Sequence, residues 1–320
     1  MVQVIIITIA AIPNGIGFEQ SAASYSGVGI RSRQIQNLEV APMPVRVVTD
    51  TTADLPAAIA AELGIKVVPQ YVRFGDQVYR DLAEISHDEF YQRLQNDPVH
   101  PSTSQPSPKD FVDVYKALMP AKDGIFSLHL SKKLSGTWDS ALQAKQLMGK
   151  EAVIEVVDCQ SVSMGLGLLA ILAGRMAKQG ASLKEINTAV TEAIPQIRLL
   201  GIFDTLKYLA AGGRIGKAKA LMGSILSVRP VLTVKEGELH PAGQVRSRVK
   251  GIDRLVEWTG TLGKIADLAV VHTTTPDEAK ALAERLGEFF PKNQIIVSRL
   301  GAALGAHAGP GTLFVAARLA

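Results

Sequence analysis

The stretch Gly124-Ile125-Phe126-Ser127-Leu128-His129-Leu130 is an apolar run of strand length, followed at once by Ser131-Lys132-Lys133-Leu134-Ser135-Gly136-Thr137. A helical pattern near Thr137–Met148 comes next, and a second apolar run over residues 152–157 closes the unit. Two buried strands joined through a helix pair in parallel, because an antiparallel partner needs only a tight turn between them. The unit therefore predicts a parallel sheet with helices on its faces, which makes the fold class α/β.

The alternation extends in both directions. Residues 45–49 read as a first strand, and Asp54-Leu55-Pro56 as a helix start that Asp54 caps and Pro56 opens. Residues 66–72 and 77–79 read as strands on either side of a Gly75-Asp76 turn. Ser86-His87-Asp88-Glu89 is a capping box leading a helix to about Gln95, and Ser107-Pro108 opens another. Further strands are expected over residues 199–203, 230–234, 238–242, 267–272 and 294–299. Helices are expected over 182–194, 248–262 and 276–290. Residues 163–178 are apolar almost all round, which predicts an interior helix; it is too short to cross a membrane before Arg175.

Composition bounds the function. Within 320 residues there is room for two domains, expected at 43–160 and 161–320, with no low-complexity linker to let them swing apart. Apolar residues at 47% and charged residues at 20% are those of an ordinary globular protein. Aromatic residues at 5% leave little for a nucleic-acid stacking platform. The net charge of +4 conceals an asymmetry: residues 198–254 carry eleven Lys or Arg against four acids, a local excess of +7. Such a face can recruit an acidic partner, a phosphorylated ligand or an anionic membrane, or simply be solvated. Its charges are dispersed and no recognition motif accompanies them, so nucleic acid is not an expected partner and membrane contact is at most transient. The single Cys159 excludes an internal disulfide and fits a cytoplasmic protein. The six His and this Cys form no metal-ligand spacing, so no metal is expected. Residues 2–12 are apolar but too few to span a bilayer and lack the basic flank of a secretory signal. Residues 1–42 are expected to be a disordered, dispensable N-terminal extension.

Five segments carry candidate chemistry. Leu206-Lys207-Tyr208-Leu209-Ala210-Ala211-Gly212-Gly213-Arg214-Ile215-Gly216-Lys217 is no P-loop, since only three residues separate Gly212 from Gly216 and Ala218 follows the Lys. Ser102-Thr103-Ser104-Gln105-Pro106-Ser107 concentrates hydroxyls in a loop stiffened by prolines. Ser135-Gly136-Thr137, at a strand-to-helix turn, offers hydroxyls and N–H groups to an anion. It lacks the Gly-x-Ser-x-Gly elbow of a hydrolase nucleophile. Residues 301–311 present His307 in a Gly-rich loop with no apolar helix face to hide it. Residues 158–167 join a strand to the apolar helix with small residues that either line a narrow channel or simply pack.

Taken together these segments resemble the DegV family of bacterial fatty-acid-binding proteins. The likeness begins at Val47-Val48-Thr49-Asp50-Thr51-Thr52-Ala53-Asp54-Leu55-Pro56 and continues through Thr103-Ser104-Gln105-Pro106 and Leu134-Ser135-Gly136-Thr137. Ser161-Val162-Ser163-Met164-Gly165-Leu166-Gly167, Gly-Gly-Arg-Ile-Gly-Lys from Gly212 and Gly305-Ala306-His307-Ala308-Gly309-Pro310-Gly311 complete it. Departures are small: Thr51 and Cys159 stand where Ser is common in the family. The resemblance implies two α/β domains with a lipid-binding tunnel between them. It implies a long-chain fatty acid as ligand, held at its carboxylate by Thr103, Ser135, the Gly136 N–H and His307, with no further cofactor. A separate fatty acid kinase, forming an acyl phosphate for phospholipid metabolism, is implied as partner, with Arg246 and Arg248 in the loop that meets it. The expected protein is a carrier, not an enzyme. An alternative that the residues leave open is a serine esterase using Ser135 and His307.

Overall fold

In the computed structural model, residues 45–119, 124–222 and 228–320 are described; the expected extension over residues 1–42 lies outside them. The chain runs β1 (Arg46–Asp50), α1 (Ala57–Glu62), β2 (Lys66–Val68), β3 (Tyr71–Phe74), β4 (Gln77–Arg80), α2 (His87–Asn96), β5 (Ser102–Ser104) and α3 (Pro108–Leu118). It continues through β6 (Ile125–His129), α4 (Thr137–Met148), β7 (Ile154–Asp158), α5 (Met164–Lys178), α6 (Leu183–Ala193), β8 (Ile197–Ile202) and α7 (Lys207–Ala211). It ends with β9 (Arg229–Lys235), β10 (Glu238–Val245), α8 (Arg248–Gly260), β11 (Ile265–His272), α9 (Pro276–Leu286), β12 (Ile296–Arg299), α10 (Ala302–Ala308) and β13 (Leu313–Leu319).

Among the described residues three sheets form. The first, ordered β2-β1-β6-β7, is wholly parallel, as the β6–α4–β7 unit demands. The second is mixed, ordered β10-β9-β8-β13-β11-β12. A small antiparallel sheet, β4-β3-β5, stands apart from both. The α/β class expected from sequence is thus what forms.

Helix α5 explains how the two large sheets share one interior. Leu166, Leu169, Ala170 and Ala173, spaced as one helical stripe, pack with Val47, Phe126 and Leu128 of the first sheet. Met164, Leu168 and Ile171, on another stripe, pack with Leu199, Phe314 and Ala316 of the second. A helix apolar all round is what such a position requires. Truncating Leu169 to Ala would cost about 2–5 kcal/mol by the usual cavity penalty.

Several expectations are corrected. Asp54 does not cap α1. It ends the 3-10 turn Thr51–Ala53 in a left-handed conformation (φ 49°), and Pro56 occupies the α1 N-cap without a side-chain bond. Residues 66–72 are not one strand: β2 belongs to the parallel sheet and β3 to the small one, with the break at Pro69, which has no N–H to donate. Residues 102–104 are an edge strand rather than loop, with Thr103 opposite Val72 on β3. The Gly-rich segment 301–311 contains helix α10, whose Ala302, Ala303 and Ala306 do have an apolar surface to pack on. Strand β13, unanticipated by the alternation, lies at the centre of the second sheet, antiparallel to both β8 and β11.

No helix of the described residues is long and apolar enough to cross a membrane, and no group of His, Cys, Asp and Glu among them could hold a metal ion.

Candidate functional site

Within the unit that begins at Pro42, a cavity opens between the start of α5, at Ser163, and the second sheet. Its walls are apolar: Leu199 of β8, Leu232 and Val234 of β9 and Phe314 of β13 face Leu130 and Val162 from the first sheet's loops. Polar side chains interrupt the apolar lining, among them Ser135 and the hydrogen-bonded pair Thr103 and His307. Of the small residues at 158–167, Val162 and Ser163 line the cavity. Gly165 and Gly167 do not: a Cβ on Gly165 would lie 2.6 Å from Leu199 Cδ1, and one on Gly167 2.6 Å from the Ala53 carbonyl. Close packing explains those two glycines.

Each polar residue is fixed by its element. Pairing of β5 with β3 sets Thr103. Ser135 lies in the turn before α4, where its N–H donates to the Ser131 carbonyl (3.2 Å) and its Oγ accepts from Thr137 N–H (3.3 Å). Gly136 is the N-cap of α4, and a Cβ there would sit 2.9 Å from Gln105 Nε2, so the bare backbone admits the Gln105 amide. His307 rides on α10, whose start is held by two buried carboxylates. Asp54 accepts from Gly301 N–H (2.7 Å), and Asp81 from Ala302 N–H (2.8 Å) and Ala303 N–H (3.1 Å). Burial raises both carboxyls above their ordinary 3.8.

Thr103 Oγ1 lies 2.8 Å from His307 Nε2. The other ring nitrogen, Nδ1, is buried without a hydrogen-bond partner, against Gly212, where a Cβ would come within 2.0 Å of it. A proton on Nδ1 would be a buried donor without an acceptor, so the favoured tautomer carries it on Nε2. His307 then donates to Thr103, and the Thr103 hydroxyl keeps its own hydrogen for the cavity. Burial foremost, then the charges of Arg214 and His100, lower His307 from 6.5 to about 4. The imidazole is neutral at neutral pH.

A second cavity adjoins the first. Leu134, Ser135, Arg214 and Leu239 belong to both, and Lys132, Lys133 and Gly136 line only the second. Arg214 spans the junction, donating to the Leu134 carbonyl (3.4 Å) and the Gly212 carbonyl (2.8 Å).

Arg246 and Arg248 line neither cavity. Arg246 is exposed between β10 and α8. Arg248 is tied into the fold: its Nη2 pairs with Glu278 (2.6 Å) and its Nη1 donates to the Gly311 carbonyl. Sequence reading missed Gln70 and Thr52, which line the cavity, and Thr137, which contacts Ser135. Thr52 and Thr137 lie inside quoted motifs, but Gln70 has no local signal.

Comparison with known proteins places this architecture. Residues 44–318 match the family model described as "Uncharacterised protein, DegV family". A DegV domain-containing protein of Streptomyces coelicolor is 41% identical over 85% of this chain and 97% of its own length. One from Caldanaerobacter subterraneus is 34% identical over 83% and 95%. Among solved structures, a fatty-acid-binding DegV family protein from Thermus thermophilus superposes with a TM-score of 0.80 at 35% identity, covering 87% of this chain and all (100%) of the other. DegV of Bacillus subtilis, a fatty acid binding protein, gives 0.78 at 31% identity with coverage of 87% and 100%.

Proposed function

The chain belongs to the DegV family, and from that premise we propose that it binds one long-chain fatty acid, acyl chain in the apolar cavity and carboxylate on Thr103 and Ser135, with His307 acting through Thr103. The observation that carries this reading is the cavity itself, largely apolar in its lining yet including two hydroxyls, Thr103 and Ser135, and the neutral imidazole that pairs with Thr103. Related proteins of known structure that bind fatty acids support it.

The energetics are coherent. Each buried methylene gains about 0.8 kcal/mol, so a long acyl chain offers on the order of 10 kcal/mol before ordering costs. A buried carboxylate is costly unless several donors meet it. The Thr103 and Ser135 hydroxyls are such donors, whereas the Gly136 N–H expected from the resemblance belongs to the lining of the adjoining cavity. The cavity walls supply affinity while the hydroxyls supply orientation.

We extend the proposal to a carrier that performs no chemistry alone and presents the carboxylate to a separate fatty acid kinase. The adjoining cavity shares Ser135 and Arg214 with the first and is lined by Lys132 and Lys133, cations that suit a phosphoryl donor and so support this reading. Exposed Arg246 suits contact with that partner, whereas Arg248 acts through the Gly311 turn. Residues 43–160 and 161–320 are proposed as the two domains that enclose the lipid. Ester hydrolysis draws no support from the geometry, because Ser135 Oγ pairs with Thr137 and His307 Nε2 with Thr103.

The test is to purify the protein without added lipid, denature it and identify what is released by mass spectrometry. A stoichiometric long-chain fatty acid is the expected result. An empty cavity that fatty acids then fail to fill would overturn the proposal.

A further inference from the structure

A chain of buried hydrogen bonds runs behind Ser135, and its direction is set by one carboxylate. Asp50 Oδ1 is met by the Thr52 N–H (3.0 Å), the Thr52 hydroxyl and Gln70 Nε2 (3.0 Å). The Gln70 amide must face it with its NH2, since the amide oxygen there would oppose acceptor to acceptor. The same nitrogen lies 3.0 Å from Thr137 Oγ1, which receives its second hydrogen. Thr137 Oγ1 lies 2.9 Å from Ser135 Oγ, a contact in which either hydroxyl can donate, and 3.4 Å from Gln70 Oε1. The shorter contact is the better acceptor geometry, and on that ground the Thr137 hydrogen is assigned to Ser135. Ser135 Oγ also accepts from Thr137 N–H (3.3 Å). With both acceptor positions of Ser135 filled by protein donors, its hydrogen is left for the cavity.

The far side of Asp50 is equally satisfied. Its Oδ2 meets His129 Nδ1 (2.8 Å), His129 Nε2 meets Ser127 Oγ (2.7 Å), and Tyr115 donates to Ser127 (2.8 Å). Asp50, His129, Ser127, Tyr115 and Thr137 are all fully buried, so no water competes for these bonds.

We propose that Asp50, Gln70 and Thr137 are positioning residues that hold Ser135 as an obligate hydrogen-bond donor, and that this makes the cavity select an acyl ligand ending in a carboxylate over the corresponding alcohol. The inference rests on the fatty-acid reading above. A free serine hydroxyl turns either way and serves both head groups. One already oriented as a donor needs no reorganisation and bonds an anionic acceptor more strongly than a neutral one. Elsewhere in the cavity lining, the His307 tautomer does the same for Thr103.

The test compares affinities for hexadecanoic acid and hexadecanol in the wild type, Thr137→Ser and Thr137→Val, each with and without Ser135→Ala. Thr137→Ser should keep the acid-to-alcohol ratio, and Thr137→Val should lower it about tenfold, the scale of one charge-assisted bond. In the Ser135→Ala background Thr137→Val should change nothing further, because its action passes through Ser135. Thermal melts establish that each variant is folded; should Thr137→Val not fold, Gln70→Met breaks the same chain and carries the same expectations. An unchanged ratio, or an equal loss without Ser135, overturns the inference while leaving fatty-acid binding intact. A wild type that binds neither ligand overturns both.

Discussion

Gly212 and His307 show how a single atom position constrains the site. The glycine has an ordinary negative φ, so its need is spatial: a Cβ would lie 2.0 Å from His307 Nδ1. Gly212→Ala should therefore displace the ring from Thr103 and destabilise the fold by about 1–3 kcal/mol, the usual cost of overpacking. Denaturant unfolding with a parallel binding titration would measure both effects. Thr103→Ala with Ser135→Ala should weaken fatty-acid binding by roughly 1–3 kcal/mol per lost bond while leaving the melting temperature close to that of the parent. Unchanged affinity by calorimetry would remove these residues from the head-group site. His307 also gives a pH dependence. Its folded value of about 4 lies below the ordinary 6.5, so between these limits the unfolded chain binds a proton that the folded chain refuses. The contribution is complete above 6.5 and is lost as pH falls toward 4. In His307→Gln the loss of stability over that window should be shallower, as read from denaturation midpoints at successive pH values.

At the scale of elements, α10 is seven residues long and depends on what holds its start. Asp81 satisfies two of its N–H groups and Asp54 a third, just upstream. Asp81→Asn keeps one acceptor but turns an amide NH2 toward the other N–H. It should cost about 1–3 kcal/mol as a buried donor loses its partner. Because α10 carries His307, fatty-acid affinity should fall with it; a drop in stability with intact affinity would show that α10 docks without Asp81. This element was not legible in the sequence. Three glycines and four alanines over residues 301–309 read as loop, and only the surface offered by Phe90, Tyr91 and Tyr208 makes a helix there pay no exposure penalty. Strand β5 was hidden likewise, since Ser102-Thr103-Ser104 has no apolar alternation and becomes a strand only by pairing with β3. By contrast β6, α4, β7 and α5 follow directly from their own periodicity.

For the molecule as a whole, the cavity is where two cores fail to close on each other. A ligand filling it should stabilise the native state by mass action, about 2.7 kcal/mol at a hundredfold excess over Kd. The melting temperature should therefore rise with fatty-acid concentration, and a melt insensitive to added fatty acid would argue that the cavity stays unfilled. Val234→Phe places a ring on the cavity wall and should shift the co-purifying lipid toward shorter chains, as mass spectrometry of the extracted ligand would show. What the sequence determined by itself is what short-range physics can specify: the parallel β–α–β order, the doubly apolar helix α5, and the motifs whose combination marks the family. The resemblance also pointed to Thr103, Ser135 and His307. Only the tertiary structure decided that His307 meets Thr103, 204 positions away, that Asp50 and Gln70 orient Ser135 through Thr137, and that Arg248 is occupied by Glu278 and Gly311. The physical reason is that hydrogen-bond direction and ion pairing depend on which side chains come within about 3 Å of one another, a distance that no local pattern encodes.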